Sequence, residues 1–236
     1  MGNNPMREAV IVSVARTPVG KAYKGSFNDL EAPSLSSVAI KAAVERAGIS
    51  ADEIDDCVWG TALQQGTQGS NIGRIAAVAA GLPASVSGMS IDRQCASGLM
   101  SIAAAAKQII VDGSDVVLAG GCESISLVQN QHMNLHKFVD PKAQKHAPNI
   151  YMGMLDTAEV VATRYQISRE EQDAYALQSQ QRTAAAQASG KFDDEIVPVT
   201  ATKLVTDRTS GEVSQEQVTL SKDESNRPST VLENLS

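Results

Sequence analysis

Residues 90–110, SIDRQCASGLMSIAAAAKQII, place Cys95 where an apolar strand gives way to an alanine-rich helix. The thiolate is the reactive form of cysteine, and the amide donors and dipole at a helix N-terminus favour it. In a parallel α/β sheet the turn from a strand into the following helix lies at the carboxyl edge, where ligands bind. Ala96, Ser97 and Gly98 keep that turn small, so a substrate can approach the sulfur. The pattern reads as a nucleophile for covalent catalysis. From position alone, a small buried core cysteine is the competing reading. Cys57 and Cys122 lie within or just beyond apolar strands and read as core residues.

Other polar groups offer less chemistry. His132 and His136 are four apart, but no clear helix frames them and no carboxylate or thiol completes a metal-ligand set. Gly66, Gly69 and Gly73 lack GxGxxG spacing and no Walker sequence occurs, so nothing points to a nucleotide phosphate loop. Glu123 and Ser124, after Gly120-Gly121, read as structural groups that satisfy backbone at a strand end. Three widely spaced cysteines without a CxxC pair make neither a disulfide framework nor a zinc knuckle, which fits a reducing compartment.

A fold must hold Cys95 in place, and 236 residues suffice for one large domain or two smaller ones. Hydrophobic residues make up 42% of the chain but aromatics only 3%, so the core is built from Ala, Val, Ile, Leu and Met. Such small side chains let helices and sheets approach closely. The net charge of −7 argues against nucleic acid or an anionic membrane as the main partner. The apolar run in MGNNPMREAVIVSVART is too short for a signal peptide, and no transmembrane-length stretch is expected after it. Met6 stands where a myristoylation signal needs Ser or Thr. The expected location is cytoplasmic.

The first 122 residues alternate between strand-like and helical runs. Strands are expected at 9–14, 56–61, 86–91 and 116–119, with helices at 35–47, 71–80 and 96–111. Gly48 stops the first helix, and Asn71 caps the second. This alternation predicts an α/β fold, a largely parallel sheet covered by helices. Residues 126–150 hold all three histidines and little periodicity, so they read as a loop region. Ser168-Arg-Glu-Glu171 is a capping box opening a helix that stops at Gly190. Strands at 197–205 and 212–220 flank a turn at Asp207–Gly211.

Arg93-Gln-Cys-Ala-Ser-Gly98 and Val117-Leu-Ala-Gly-Gly-Cys-Glu-Ser124 resemble the thiolase family of acetyl-CoA acetyltransferases and 3-ketoacyl-CoA thiolases. Val14-Ala-Arg-Thr-Pro18, Thr157-Ala-Glu159, Ile167-Ser-Arg-Glu-Glu-Gln-Asp173 and Phe192-Asp-Asp-Glu-Ile-Val-Pro198 are similar to thiolase segments in the same order. The resemblance covers almost the whole chain. It implies a thiolase-like parallel or mixed sheet covered by helices, with an inserted α+β loop domain. Residues 1–124 then form the N-terminal α/β domain without its final strand, and 125–236 a truncated loop domain. The implied chemistry is Claisen condensation of acyl-CoA with acetyl-CoA, or the reverse thiolysis, through an acyl-thioester on Cys95. Coenzyme A is a substrate, and no resident cofactor or metal is implied. Met154 is implied to line the acyl pocket. Arg227 falls where an adenine- or phosphate-contacting arginine is common, with a solvated surface arginine as its alternative. Pairing of first domains implies a homo-oligomer.

The chain departs from the family at Ile125, where Met is usual, and in a shorter loop between Ser124 and Tyr151. The Asn-Glu-Ala-Phe and Gly-His-Pro segments of the second thiolase half, and its second cysteine, do not occur in these 236 residues. The chain is accordingly expected to be the amino-terminal half, inactive by itself. The alternative is a catalytically silent CoA- or protein-binding subunit derived from a thiolase. A β-ketoacyl synthase relative shares the cysteine-on-helix logic but is disfavoured by the loop-domain motifs.

Overall fold

The computed structural model of the chain describes residues 7–235. The Met-Gly start and Met6 lie outside the described residues. The described chain forms two compact units, one from residues up to 133 together with 195–225, the other from 134–194 and 226 onward.

Three parallel strands form the sheet of the first unit: β1 Asp56–Gly60, β2 Ser87–Ile91 and β3 Val117–Gly121, in the order β2-β1-β3. Helix α1 spans Ala32–Ala47, with a proline in its first turn and Gly48 closing it at φ 67°, a left-handed conformation that glycine adopts without steric cost. Helix α2 spans Ile72–Ala79, and the Asn71 side chain caps it by accepting from the Arg74 amide. Helix α3 spans Ser97–Lys107 and continues as a short π-helical turn to Asp112.

Side chains alternate across β1, so its two faces pack differently. Cys57 and Trp59 join Ile40 of α1 and Ile72 and Ala76 of α2 in the main core. Trp59 Nε1 donates to Ser36 Oγ at 3.0 Å, so the buried indole leaves no unpaired donor. The opposite face, at Gly60, meets α3. The close approach expected from small residues is realised at Gly73. A Cβ there would lie 2.5 Å from the Met89 carbonyl oxygen and 2.6 Å from that of Cys57.

Residues 9–14, expected as a strand, pair with nothing among the described residues. Val10, Ile11, Val12 and Val14 remain 62–74% exposed. The run is tethered at intervals: Arg7 donates to Gly113 O and pairs with Asp115, Arg46 donates to Val14 O, and Arg16 forms a parallel bridge with Ile196. A strand requires a neighbour about 4.8 Å away. Between this run and the outer edge of β3 lies instead a cavity of 710 Å³, lined by Val10, Ile11, Ser13, Ile40, Val117 and Cys122 among others. Apolar sequence alone does not supply the partner.

A second correction concerns membrane-length stretches. Gln94–Asp112 is long and apolar enough to cross a membrane by length and composition. Its contacts with β1 and β3 make it a sheet-covering helix in this fold.

The hairpin of β4 Val199–Thr206 and β5 Val213–Leu220 is antiparallel and lies within the first unit. Val199 and Ala201 are buried with Phe27, and Leu30, Leu35 and Val38 pack on them. Asn28 pairs through its side chain with both the amide and the carbonyl of Leu204, each at 2.9 Å. Glu224 accepts from the amides of Lys21 and Ser26. The boundary drawn from sequence at residue 124 and this division by contact thus partition the chain differently. Short helices α4 Ile125–Val128 and α5 Pro141–His146 interrupt the expected loop. In the second unit, α6 spans Met154–Tyr165 and α7 Arg169–Ala188, the latter opened by the full Ser168–Glu171 capping box.

Candidate active site

β1 and β2 run in register so that Gly60 stands opposite Ile91, and Gly121 of β3 stands opposite Gly60. The three carboxyl ends therefore form one level edge. Beyond Ile91 the chain turns sharply through Asp92–Ala96 into α3. Gln94 adopts φ 50°, an uncommon conformation for a side chain of its size. Its amide donates to Asp92 Oδ1 at 2.8 Å, and Ser97 Oγ accepts from the Arg93 amide at 2.8 Å while donating to Gln94 O at 2.6 Å. This closed set of local bonds fixes the turn. Cys95 is held at its tip, exposed, one residue before the α3 N-cap position at Ala96. No side chain caps α3. Its N-terminal dipole is therefore open toward the turn that carries the thiol.

The helix start is pressed onto the sheet. A Cβ on Gly60 would lie 2.4 Å from Ser97 C and 2.5 Å from Ser97 O. Ser101 Oγ donates to Gly120 O at 2.7 Å, fastening the next turn to β3.

The other two thiols behave as the sequence implies. Burial first, and then the charge of Asp56, push the fully buried Cys57 thiol up to about 12. Burial also raises the Cys122 thiol, against hydrogen bonding with Ser36 and Trp59. Neither is a nucleophile in the folded state. The exposed His132, His136 and His146 gather no ligand set, and no group of three metal-ligating side chains occurs among the described residues.

Glu123 does what its place after Gly-Gly suggests. Its carboxylate accepts from the Ala62 amide at 2.8 Å and from Thr61 Oγ1 at 3.2 Å. Sequence reasoning missed its buried partner Gln68, whose Nε2 donates to Glu123 Oε1 at 2.6 Å. It also missed Arg16, which pairs with Glu195 at 2.6 Å and Asp223 at 2.8 Å. A signal for that pair was present, since Arg16 and Glu195 each sit inside a segment that carries the family resemblance. Met154 and Arg227 belong to the second unit. Met154 opens α6 and is 70% exposed, and the Arg227 amide donates to Gln180 Oε1 at 2.7 Å.

The sequence matches the family "Thiolase, N-terminal domain" over residues 9–236. The chain belongs to the thiolase family. It is 44% identical over 234 residues to a 3-ketoacyl-CoA thiolase of Bacillus subtilis (strain 168), covering 98% of this chain and 58% of that protein. It is 42% identical over 206 residues to an acetyl-CoA acetyltransferase of Cupriavidus necator, covering 82% of this chain and 51% of that one. The crystal structure of the Bacillus anthracis acetyl-CoA acetyltransferase superposes with a TM-score of 0.81 at 33% identity, covering 98% of this chain and 58% of that one. This thiolase chain therefore spans a little over half the length of these relatives, and the α/β fold with its parallel sheet is theirs.

Proposed function

We propose that this chain is the nucleophile-bearing part of a thiolase-type acyltransferase. The observation that carries the reading is the exposed Cys95 at the tip of a fixed strand–helix turn, on the carboxyl edge of a parallel sheet. The Cys95 thiolate attacks the thioester carbonyl of an acyl-CoA, forming a new C–S bond. The tetrahedral intermediate collapses by breaking the bond to the CoA sulfur, which leaves as thiolate and takes a proton. Backbone donors at the start of α3, the Cys95 amide among them, stabilise the oxyanion. In condensation, acetyl-CoA loses an α-proton and its carbanion attacks the acyl-thioester, forming a C–C bond and releasing the Cys95 thiolate. In thiolysis Cys95 instead attacks the 3-keto carbon of a 3-ketoacyl-CoA and the C2–C3 bond breaks. Acetyl-CoA leaves with a proton on its α-carbon, and CoA then takes the acyl group from Cys95. Met154 lines the acyl pocket and Arg227 contacts the adenine or phosphates of CoA in this reading. The soluble protein works in the cytoplasm as a homo-oligomer. The outer edge of β3, unpaired among the described residues, and the exposed valines of residues 10–14 support association, which concentration-dependent sedimentation tests.

Turnover also needs a base to activate the thiol and another to move the α-proton, each contributing roughly 10²–10⁴-fold. The segments that carry these groups in thiolases do not occur in this sequence. The expected result with acetyl-CoA is one acetyl group on the Cys95 peptide, found by mass spectrometry and lost in Cys95→Ser, without appreciable loss of acetoacetyl-CoA absorbance in the thiolysis assay. Absence of acylation on the folded chain supports the silent-subunit alternative. Robust turnover by these 236 residues overturns the assignment of the bases.

A further inference from the structure

We infer that Gln68, acting with Glu123 and Thr61, is a positioning residue for the Cys95 nucleophile, an inference that rests on the reading of Cys95 as the acyl acceptor. Gln68 is a carboxamide with no exposed surface, in a short turn between β1 and α2. Its Nε2 donates to Thr61 Oγ1 at 2.8 Å, to Leu63 O at 2.9 Å and to Glu123 Oε1 at 2.6 Å. Its Oε1 accepts from the Ser124 amide. One side chain thus ties the segment leaving β1 to the segment leaving β3. Glu123 reinforces the tie through the Ala62 amide and the Thr61 hydroxyl. Gln68 and Thr61 are buried, so a broken bond between them leaves desolvated groups, while the Glu123 carboxylate closes the network at its solvent-exposed end.

What this network holds still is the seat of the nucleophile turn. The Thr61 amide donates to Ile91 O at 3.0 Å, and Ile91 is the last strand residue before the turn that carries Cys95. Gly60 lies against the backbone of Ser97 and Gly98, where the turn ends. Entry and exit of the turn therefore both rest on Gly60–Thr61, and the Cys122 amide fastens Gly60 O to the β3 side at 3.0 Å. Releasing Thr61 from Gln68 frees the seat and lets the start of α3 tilt away from the thiol. Cys95 is already exposed, so loosening cannot raise its reactivity by uncovering it. The effect runs through orientation alone, and it is a decrease.

The test is iodoacetamide alkylation of the full 236-residue chain, with rates read separately for Cys57, Cys95 and Cys122 by peptide mass spectrometry. Gln68→Met keeps the volume and removes the hydrogen bonds. It should slow Cys95 alkylation about two- to fivefold, the factor by which a helix N-terminus favours an anion at its first turn. Cys57 and Cys122 should stay protected, which a general loosening of the core would not allow. Thr61→Val, which removes only the hydroxyl, should slow Cys95 by a smaller factor. In the Gln68→Met, Thr61→Val double variant the two losses should not add, because both act through one contact. If Gln68→Met does not fold, Thr61→Val and Glu123→Gln decide the matter by the same readout. Cys95 rates that are unchanged or faster in folded variants overturn the inference, as does slowing that appears only together with labelling of Cys57 and Cys122. A wild-type Cys95 no faster than the other two thiols counts instead against the nucleophile reading itself.

Discussion

Gly60→Ala joins stability and site in one substitution. The added Cβ would lie 2.4 Å from Ser97 C, 2.5 Å from Ser97 O and 2.8 Å from Gly98 N. Carbon atoms in contact sit about 3.5–4.0 Å apart, so roughly an ångström of separation must be found. All three atoms belong to the main chain, and no rotamer change can make room. The cost reaches or exceeds the overpacking range of about 1–3 kcal/mol. At about 2–4 °C per kcal/mol for a chain of this size, Tm should fall by about 2–12 °C. Relief of the clash requires the start of α3 to lift from the sheet, so Cys95 alkylation should slow in the variant that remains folded. Gly98→Ala is the control, because a Cβ there meets nothing within 4 Å and the residue is helical. It should stabilise by up to about 1 kcal/mol. Thermal unfolding by circular dichroism measures both. An unchanged Tm and unchanged Cys95 rate in Gly60→Ala would refute the claim that this contact seats the helix.

Cys57 keeps its proton to about pH 12 in the folded chain against an ordinary 9.0, so the unfolded chain ionises first as the solution becomes alkaline. Its contribution to stability is complete below the ordinary thiol value and is lost as pH rises toward the folded value. The urea midpoint should therefore drop above about pH 9, and less so in Cys57→Ala. Asp223 shows the opposite sign. Burial opposes its charge, but hydrogen bonds from Arg16 and the Val19 amide outweigh burial and hold its carboxyl below the ordinary 3.8. That contribution is present above the ordinary value and fades as pH falls through the lower folded value. Asp223→Asn should therefore flatten the acid limb of the stability profile. Arg16→Ala should cost about 1–2 kcal/mol by chemical denaturation, with only partial rescue by lysine, which cannot grip Asp223 and Glu195 with a planar fork. No change in either variant would mean that this ion group is solvated surface.

Much of the architecture was legible in the sequence because local chemistry determines it. Asn71, Gly48 and the Ser168–Glu171 box mark helix ends through bonds made within a few residues, and the structure forms each of them. Strands β1 to β3 follow from short apolar runs between helical periods, and their parallel pairing from the alternation. The place of Cys95 between strand and helix was likewise a local matter.

Other features depended on partners far along the chain. Residues 9–14 have the composition of a strand, but strand formation needs a hydrogen-bonding neighbour that composition does not provide. Nothing next to Arg16 in the sequence names its partners, because the fold brings Glu195 and Asp223 to it from about 180 and 207 positions away. Gln68 carries no local sign of burial, and only the fold surrounds it with Thr61, Leu63, Glu123 and Ser124. The sequence by itself therefore determined helices α1 to α3 and α7, strands β1 to β5, the family, and the place of Cys95 between strand and helix. Tertiary structure alone decided which polar groups are buried and paired, because desolvation and hydrogen bonding depend on neighbours in space.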